Sequence, residues 1–388
     1  MHVAIFSDQH PATLGGQQVS VRLQREFLQR AGHTVTVVAP RSPRSARDDA
    51  VVALPAVPLG GGYGMTVAGT RADRAVDRGF AARPPMDVVH VQADFWGAWT
   101  GYRFARRHDL PVVHTVHTNV EVGLPAVVPF PGPVLRLMYA EHRRHLRCEP
   151  VTDVAGYVRA FADAADALVA PSSHFADHLA GYGVTRPVHV IPTGVDDRVA
   201  DALREEPAQR HDRPVLVWPG RVSREKRLDE LVRAFADARV DAELHVYGSG
   251  SDLGRCRTLA GRLGVAERVR FHGAVSHDAV LRAMRHADAV VQSSLGYETQ
   301  GLTLYEAVAL GTPVLVRDKG IARDIPERWR HTVADDGVPA LTAAVRSLVA
   351  ALAAPGPPDR PSGLFVQSRL TEQMLDVYRT ASKEHRVA

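Results

Sequence analysis

Residues 214–238 read PVLVWPGRVSREKRLDELVRAFADA. The opening run, PVLVWPGR, is apolar at successive positions, as a strand buried on both faces requires. The closing run, LDELVRAFADA, places its apolar residues at helical spacing. Strand and helix alternate from here onward. AELHVYGSG, RVRFHG, ADAVVQSS and TPVLV are further strand-like runs separated by helical stretches. The same alternation fills the first half of the chain. HVAIFS, TVTVVAP, DVVHVQ, PVVHTVHT, ADALVAPSS and PVHVIPTGV are its strand candidates. A helical stretch, QVSVRLQREFLQRAG, follows Gly15-Gly16, and Gly32 is placed to stop it. A further helix is expected near 99–108. Alternation of this kind implies doubly wound parallel sheets, here in two successive α/β domains.

The length of 388 residues suits two domains of ~150–200 residues each. With 45% hydrophobic and 23% charged residues, the chain is neither disordered nor fibrous. Cys148 and Cys256 form no C-x-x-C pair, which argues against a zinc finger or thiol redox centre and fits a reducing compartment. No apolar run reaches the ~18–20 residues of a membrane span. The N-terminus, MHVAIFSD, enters a strand candidate with no basic leader, so a soluble intracellular protein is expected. The net charge is +4, the basic residues are scattered and aromatics make up 6%, a pattern that argues against a nucleic-acid partner. Only three of the 47 basic residues are lysines (Lys226, Lys319 and Lys383), so each stands out against an arginine default.

The segment 293–316, SSLGYETQGLTLYEAVALGTPVLV, carries the strongest chemical signal. Gly301 stands where a helix should begin, and backbone N–H groups at such a start can approach a phosphate closely. Glu298 precedes it in the loop. Glu306 follows about a turn and a half into the helix. One carboxylate can meet a sugar and the other a ribose, with a diphosphate between them. On spacing alone, an ordinary amphipathic helix with a surface glutamate fits as well.

The Glu-x7-Glu segment ending in EAVALGTPVLV resembles that of the family-4 retaining glycosyltransferases of the GT-B fold. The resemblance implies Glu298 at the donor sugar's hydroxyls and Glu306 at the ribose. It implies the backbone amides of Gly301, Leu302 and Thr303 at the diphosphate. Where many members have Phe before the glycine, this chain has Gln300. Its variant, ETQGLT, is similar to the subset that glycosylates diacylglycerol-type lipids. Other segments fall in the family's order. PGRVSREKRLDELVRAF resembles its G-R-x4-K segment and implies Arg221 and Lys226 at the leaving diphosphate, where fixed cations stabilise the charge that develops. Gly15-Gly16 resemble the glycine-rich loop beside the donor phosphate and the acceptor. In PVVHTVHT the resemblance implies that His117 contacts the transferred sugar and that His114 is interior. Glu121 then stands as an acceptor contact. The loop with Gly248 corresponds to a nucleotide-facing segment, and the backbone near Val275, after RVRFHG, to the segment that meets the base.

Several other chemistries lack their residues. No D-x-D is present to clamp a diphosphate through a metal. Gly254 comes too late after Gly248 and Gly250 for a G-x-G-x-x-G fingerprint, and there is no P-loop and no G-x-S-x-G elbow. The alternation of strands and helices, with the resemblance to the GT-B family, implies two Rossmann-like domains facing across a cleft. Residues 1–195 form the acceptor side and 196–365 the nucleotide-sugar side, with a break at the Pro-rich stretch 355–361. A C-terminal helix within 366–388 can pack back on the first domain. The expected activity is retaining transfer of a hexose from a nucleotide sugar, UDP-sugar favoured, to a hydroxyl of a lipid or glycan, with no metal or other cofactor. A small soluble acceptor such as a cyclitol, a sugar-nucleotide epimerase, and a non-catalytic binder remain open. Residues 133–147 add a possible partner. Val134, Leu137, Met138 and Leu146 line up at helical spacing among Arg136, Arg143, Arg144 and Arg147, a pattern suited to an anionic membrane surface. The same spacing also fits a helix that packs Leu137 and Met138 into the core.

Overall fold

The computed structural model describes residues 1–13, 15–42, 48–60, 63–128, 130–207, 209, 211–352 and 363–387. The Pro-rich stretch 355–361 lies outside them. The chain divides into two units, one of Met1–Thr193 with Gln367–Ala388, the other Gly194–Val366.

The first unit is built on strands β1 (His2–Ser7), β2 (Thr34–Pro40) and β3 (Val51–Leu54), the hairpin β4 (Val57–Gly60) and β5 (Tyr63–Met65), then β6 (Val88–Gln92), β7 (Val112–Thr115), β8 (Ala167–Ala170) and β9 (Val188–Val190). Its helices are α1 (Gly16–Arg30), α2 (Thr70–Phe80), α3 (Trp96–His108), α4 (Val120–Val127), α5 (Pro131–Leu146), α6 (Val154–Ala164) and α7 (Ser173–Gly181). The main sheet is parallel throughout, in the order β3-β2-β1-β6-β7-β8-β9. Every residue of β1, β6, β7 and β8 is buried, which is why their sequences are apolar runs rather than alternations. Successive side chains serve opposite cores. Ala4 and Phe6 face α2, α3 and α6, while Val3 and Ile5 face α1. The antiparallel hairpin β4–β5 lies between β3 and α2, and α3 starts at Trp96 rather than near Trp99.

The second unit holds α8 (Asp197–Glu205), β10 (Val215–Pro219), α9 (Leu228–Ala238), β11 (Glu243–Tyr247), α10 (Leu253–Arg262), β12 (Val269–Gly273), α11 (His277–His286), β13 (Ala289–Gln292), α12 (Leu302–Ala309), β14 (Val314–Val316), α13 (Lys319–Ala322), β15 (Arg330–Thr332) and α14 (Val338–Leu352). Its sheet is again parallel, in the order β12-β11-β10-β13-β14-β15. Cores on its two faces are closed by α9, α10 and α14 on one side and by α8, α11, α12 and α13 on the other.

The last helix, α15 (Gln367–Val387), belongs to the first unit. It lays Leu370, Met374, Leu375, Val377, Tyr378 and Ala381 on the core shared by α1 and the alternate residues of β1, β2 and β6. Burying these side chains contributes on the order of 10 kcal/mol before chain entropy is counted. Tyr378 also hydrogen-bonds His90 Nδ1 at 2.7 Å, deep under the sheet.

In each unit the strand order reverses beside the first strand, between β1 and β6 and between β10 and β13. Crossovers leave in opposite directions there, so the carboxyl ends open a crevice where ligands of such sheets bind.

Candidate active site

In the second unit the β10 and β13 ends bring together residues 72 apart in sequence. Lys226 closes a short 3-10 turn after β10, and Glu298 lies in the loop after β13. Lys226 Nζ is 2.5 Å from Glu298 Oε1, with side chains 20% and 16% exposed, so the pair is shielded but reachable. The Ser294 hydroxyl donates to the same oxygen at 2.7 Å. Burial pushes the Glu298 carboxyl up, but the charge and hydrogen bond of Lys226, with that of Ser294, outweigh it and hold the group below its ordinary value. Glu298 is therefore ionised at neutral pH. Tyr297 stands between the cations. Its ring lies 5.0 Å below Lys226 Nζ, and its hydroxyl accepts from Arg221 Nη2 at 3.3 Å. Arg221 is half-exposed and also pairs with Glu225 at 2.8 Å.

The same loop ends on a helix start. Gly301 caps α12 at φ +73°, a left-handed conformation that L side chains adopt only with strain, and an added Cβ would lie 3.0 Å from Ile321 Cδ1. Leu302 and Thr303 are the first helical residues, so their N–H groups have no intrahelical acceptor. A helix start of this kind favours an anion. Glu306 lies further along α12 and is 2% exposed. Its Oε1 is 2.6 Å from Nε2 of His277, the first residue of α11. Val275, 39% exposed, is two residues before that histidine, so the segment assigned to the base adjoins the one assigned to the ribose. Gly248 opens the loop after β11. A Cβ there would sit 1.8 Å from the Gly220 carbonyl oxygen, so only glycine lets the β10 and β11 loops pass.

In the first unit the β1, β6 and β7 ends carry the remaining residues. Gly15 is the N-cap of α1 and Gly16 its first residue. His117 follows β7 and is half-buried. Its backbone N–H donates to both oxygens of Asp94 at 3.2 Å, and its Nε2 meets Gln92 Oε1 at 3.1 Å. Burial pushes the imidazole down to about 4, against the pull of Asp94 and with the help of His114, so the ring is neutral at physiological pH. His114 is fully buried between Tyr102 and the Ala93 carbonyl. Asp8, just past β1, accepts from the backbone N–H groups of Asp94, Phe95 and Gly97 at the start of α3. Burial and the charge of Asp94 push its carboxyl up to about 7, against those three donors. Glu121 is exposed on α4, and its Oε2 accepts from Tyr182 at 2.7 Å. On α5 only one of the paired candidates is interior: Met138 is buried, and Leu137 is 64% exposed.

Sequence reasoning had singled out neither Tyr297, Ser294 and His277 nor Gln92, Asp8 and Asp94. The first two lay inside the quoted Glu-x7-Glu segment. Gln92 and Asp8 share a readable signal: each is a polar residue at or just past the carboxyl end of a largely apolar run.

Comparison with known proteins agrees with this fold. The family model described as Glycosyltransferase Family 4 matches residues 14–199, and that described as Glycosyl transferases group 1 matches residues 199–350. The alpha-monoglucosyldiacylglycerol synthase of Streptococcus pneumoniae is 26% identical over 81% of this chain and 70% of its own length. The D-inositol 3-phosphate glycosyltransferase of Xylanimonas cellulosilytica is 32% identical over 76% of this chain and 72% of its own. Among solved structures, the sucrose-phosphate synthase of Thermosynechococcus elongatus superposes with a TM-score of 0.68 at 22% identity, covering 97% of this chain and 98% of that one, a likeness of fold. Two family models in tandem, two Rossmann-type sheets and a relative above 30% identity over three quarters of the sequence agree: the chain belongs to the family-4 glycosyltransferases of the GT-B fold.

Proposed function

We propose that this glycosyltransferase transfers a hexose, with retention at the anomeric carbon, from a UDP-sugar to a hydroxyl of a lipid or glycan acceptor without a metal ion. The observation that carries the donor half is the Lys226–Glu298 pair at the β10/β13 switch point, beside the start of α12. A nucleoside diphosphate there meets Lys226, Arg221 and the N–H groups of Gly301, Leu302 and Thr303. Glu298 accepts from the sugar's hydroxyls and Glu306 from the ribose. These cations and the helix start do the work that a divalent ion does at a D-x-D site, by stabilising the charge that grows on the leaving diphosphate. In the transfer, the bond from the anomeric carbon to the phosphate oxygen breaks. The acceptor oxygen attacks from the same face, and its proton passes to the departing phosphate. His117 of the first unit contacts the transferred sugar, and Glu121 the acceptor.

The lipid acceptor is supported by the diacylglycerol relative and by α5. Phe130 before that helix is 80% exposed and Leu137 on it 64%, among the exposed Arg136, Arg143, Arg144 and Arg147. No helix among the described residues is long and apolar enough to cross a membrane. We therefore read this surface as a peripheral contact with anionic lipid on the cytoplasmic side, each basic residue adding about 1 kcal/mol. The D-inositol 3-phosphate relative favours a second reading, a soluble cyclitol acceptor. One experiment tests both. Enzyme is incubated with UDP-glucose, UDP-GlcNAc or GDP-mannose, each with diacylglycerol vesicles, phosphatidylinositol vesicles or inositol 3-phosphate, and products are read by mass spectrometry. A lipid product from a UDP-sugar supports the proposal. A product only from GDP-mannose, or only with inositol 3-phosphate, replaces the donor or the acceptor. Conversion of the donor alone to an epimer, which has the same mass and is read by chromatographic separation or proton NMR, overturns transfer.

A further inference from the structure

Gln92, the last residue of β6, is 1% exposed and collects hydrogen bonds from two other elements. Its backbone carbonyl accepts from Gln17 Nε2 at 2.5 Å. Its side-chain Oε1 accepts from the Ser20 hydroxyl at 3.0 Å and stands 3.1 Å from His117 Nε2. Gln17 and Ser20 lie in the first turns of α1, the helix that begins at the Gly15-Gly16 pair. His117 belongs to the segment after β7, and Asp94, two residues beyond Gln92, holds its backbone N–H. The end of β6 thus grips His117 by both backbone and ring, and grips α1 as well.

We propose that Gln92 is a positioning residue: it locks the His117 imidazole as the Nε2–H tautomer and fixes that ring relative to the helix that starts at the glycine pair. The chemistry follows from the acceptor. With the amide oriented so that Oε1 lies between Ser20 and His117, and its Nε2 without a partner among the described residues, each of those two groups must supply a proton, because a carbonyl oxygen has none to give. With Nε2 protonated and the ring neutral, the lone pair is on Nδ1. Whatever the ring meets at Nδ1 must then be a donor, as a sugar hydroxyl is. His117 in this state binds and orients; it has no proton to deliver from Nδ1. The role in transfer rests on the reading of His117 as a sugar contact, whereas the tautomer itself does not.

The test uses the full chain with 15N-labelled histidine. The His117 resonances are identified by their loss in His117→Ala, and long-range proton–nitrogen correlation is recorded across pH. The expected result is a single Nε2–H tautomer, neutral down to pH 5. Gln92→Leu fills the same space without an acceptor and should give a mixture of tautomers. Gln92→Glu keeps the acceptor and adds a negative charge, so the His117 pKa should rise by ~1–3 units. Ser20→Ala removes only the other partner of Oε1 and should leave the tautomer in place, and Gln92→Glu carries the test if Gln92→Leu does not fold. A ring protonated at Nδ1, as the reversed amide of Gln92 would produce, overturns the proposal. So does a tautomer and pKa indifferent to both Gln92 variants. The transfer reading fails separately. If His117→Ala converts UDP-glucose or GDP-mannose at the wild-type rate, His117 is not a sugar contact, whatever its tautomer.

Discussion

Replacing Glu298 by Gln should move two affinities in opposite directions. In the free protein the Glu298 carboxylate holds Lys226 at 2.5 Å, with both side chains mostly shielded. At an effective dielectric near 20 the gross attraction of such a pair is about 4–7 kcal/mol. Most of that is offset by desolvation, and hydrogen bonds to charged groups come to about 1.5–3 kcal/mol net. A diphosphate that takes Lys226 must give up part of this. Glu298→Gln preserves the shape and the Ser294 contact but removes the charge, so UDP should bind more tightly, by about 1–2 kcal/mol, or ~5–30-fold. The intact donor makes the same gain at its diphosphate but loses charged hydrogen bonds at its sugar hydroxyls, about 1.5–3 kcal/mol each, so its affinity falls. The ratio of UDP-sugar to UDP affinity should therefore fall by roughly 10²-fold, while turnover drops with the sugar contact. Isothermal titration of UDP and UDP-glucose, repeated with GDP and GDP-mannose, measures both. Equal weakening of diphosphate and donor would refute the reasoning, because it would make Glu298 a support for Lys226 rather than its competitor.

Lys226→Ala should lower kcat by at least ~10²-fold with a normal melting transition, as loss of a fixed cation at the leaving group does; steady-state kinetics on the donor from the product screen decides it. Glu306→Ala should weaken UDP and UDP-glucose by the same factor, and His277→Ala should reproduce a smaller part of that loss, both read by calorimetry. Asp8 and His117 predict opposite slopes of stability across the same window, about pH 4 to 7. The Asp8 carboxyl, raised to about 7, favours the fold below its unfolded value of 3.8, and that contribution is lost as pH rises through 7. His117, lowered to about 4, contributes fully above 6.5, and its contribution is lost as pH falls towards 4. Thermal melts between pH 4 and 8.5 should lose, in Asp8→Asn, the fall in stability that Asp8 contributes between about pH 4 and 7; an unchanged slope in that window removes Asp8 from the account. Leu137→Ser should reduce flotation with anionic vesicles and leave conversion of a soluble acceptor untouched, and equal flotation of variant and wild type sets the α5 surface aside.

The α/β class was legible because a strand buried on both faces is apolar at successive positions with few exceptions, and PVLVWPGR, HVAIFS and DVVHVQ say so without help from distant residues. LDELVRAFADA marked its helix, Leu228–Ala238, through its own spacing. A glycine before an apolar helical run told of a helix start at Gly301, since both signals are local. The pairings were not legible. Lys226 meets Glu298 only because β10 and β13 are neighbours in the sheet, and strand order is set by which crossovers pack. His277 reaches Glu306 because α11 and α12 share one face of that sheet. Gln92 looks in sequence like the polar end of a strand; its hold on His117 and α1 exists because β1, β6 and β7 end side by side. Leu137 and Met138 are adjacent with equivalent chemistry, and only the packing of α5 decides that one is buried and the other faces solvent. Likewise α15 carries an ordinary amphipathic pattern, and which core it covers depended on the one left open beside α1. Local periodicity is written in the chain because the spacing of apolar residues along a run marks which face it buries. Contacts between elements are not, because they depend on how the whole set of elements shares its apolar faces.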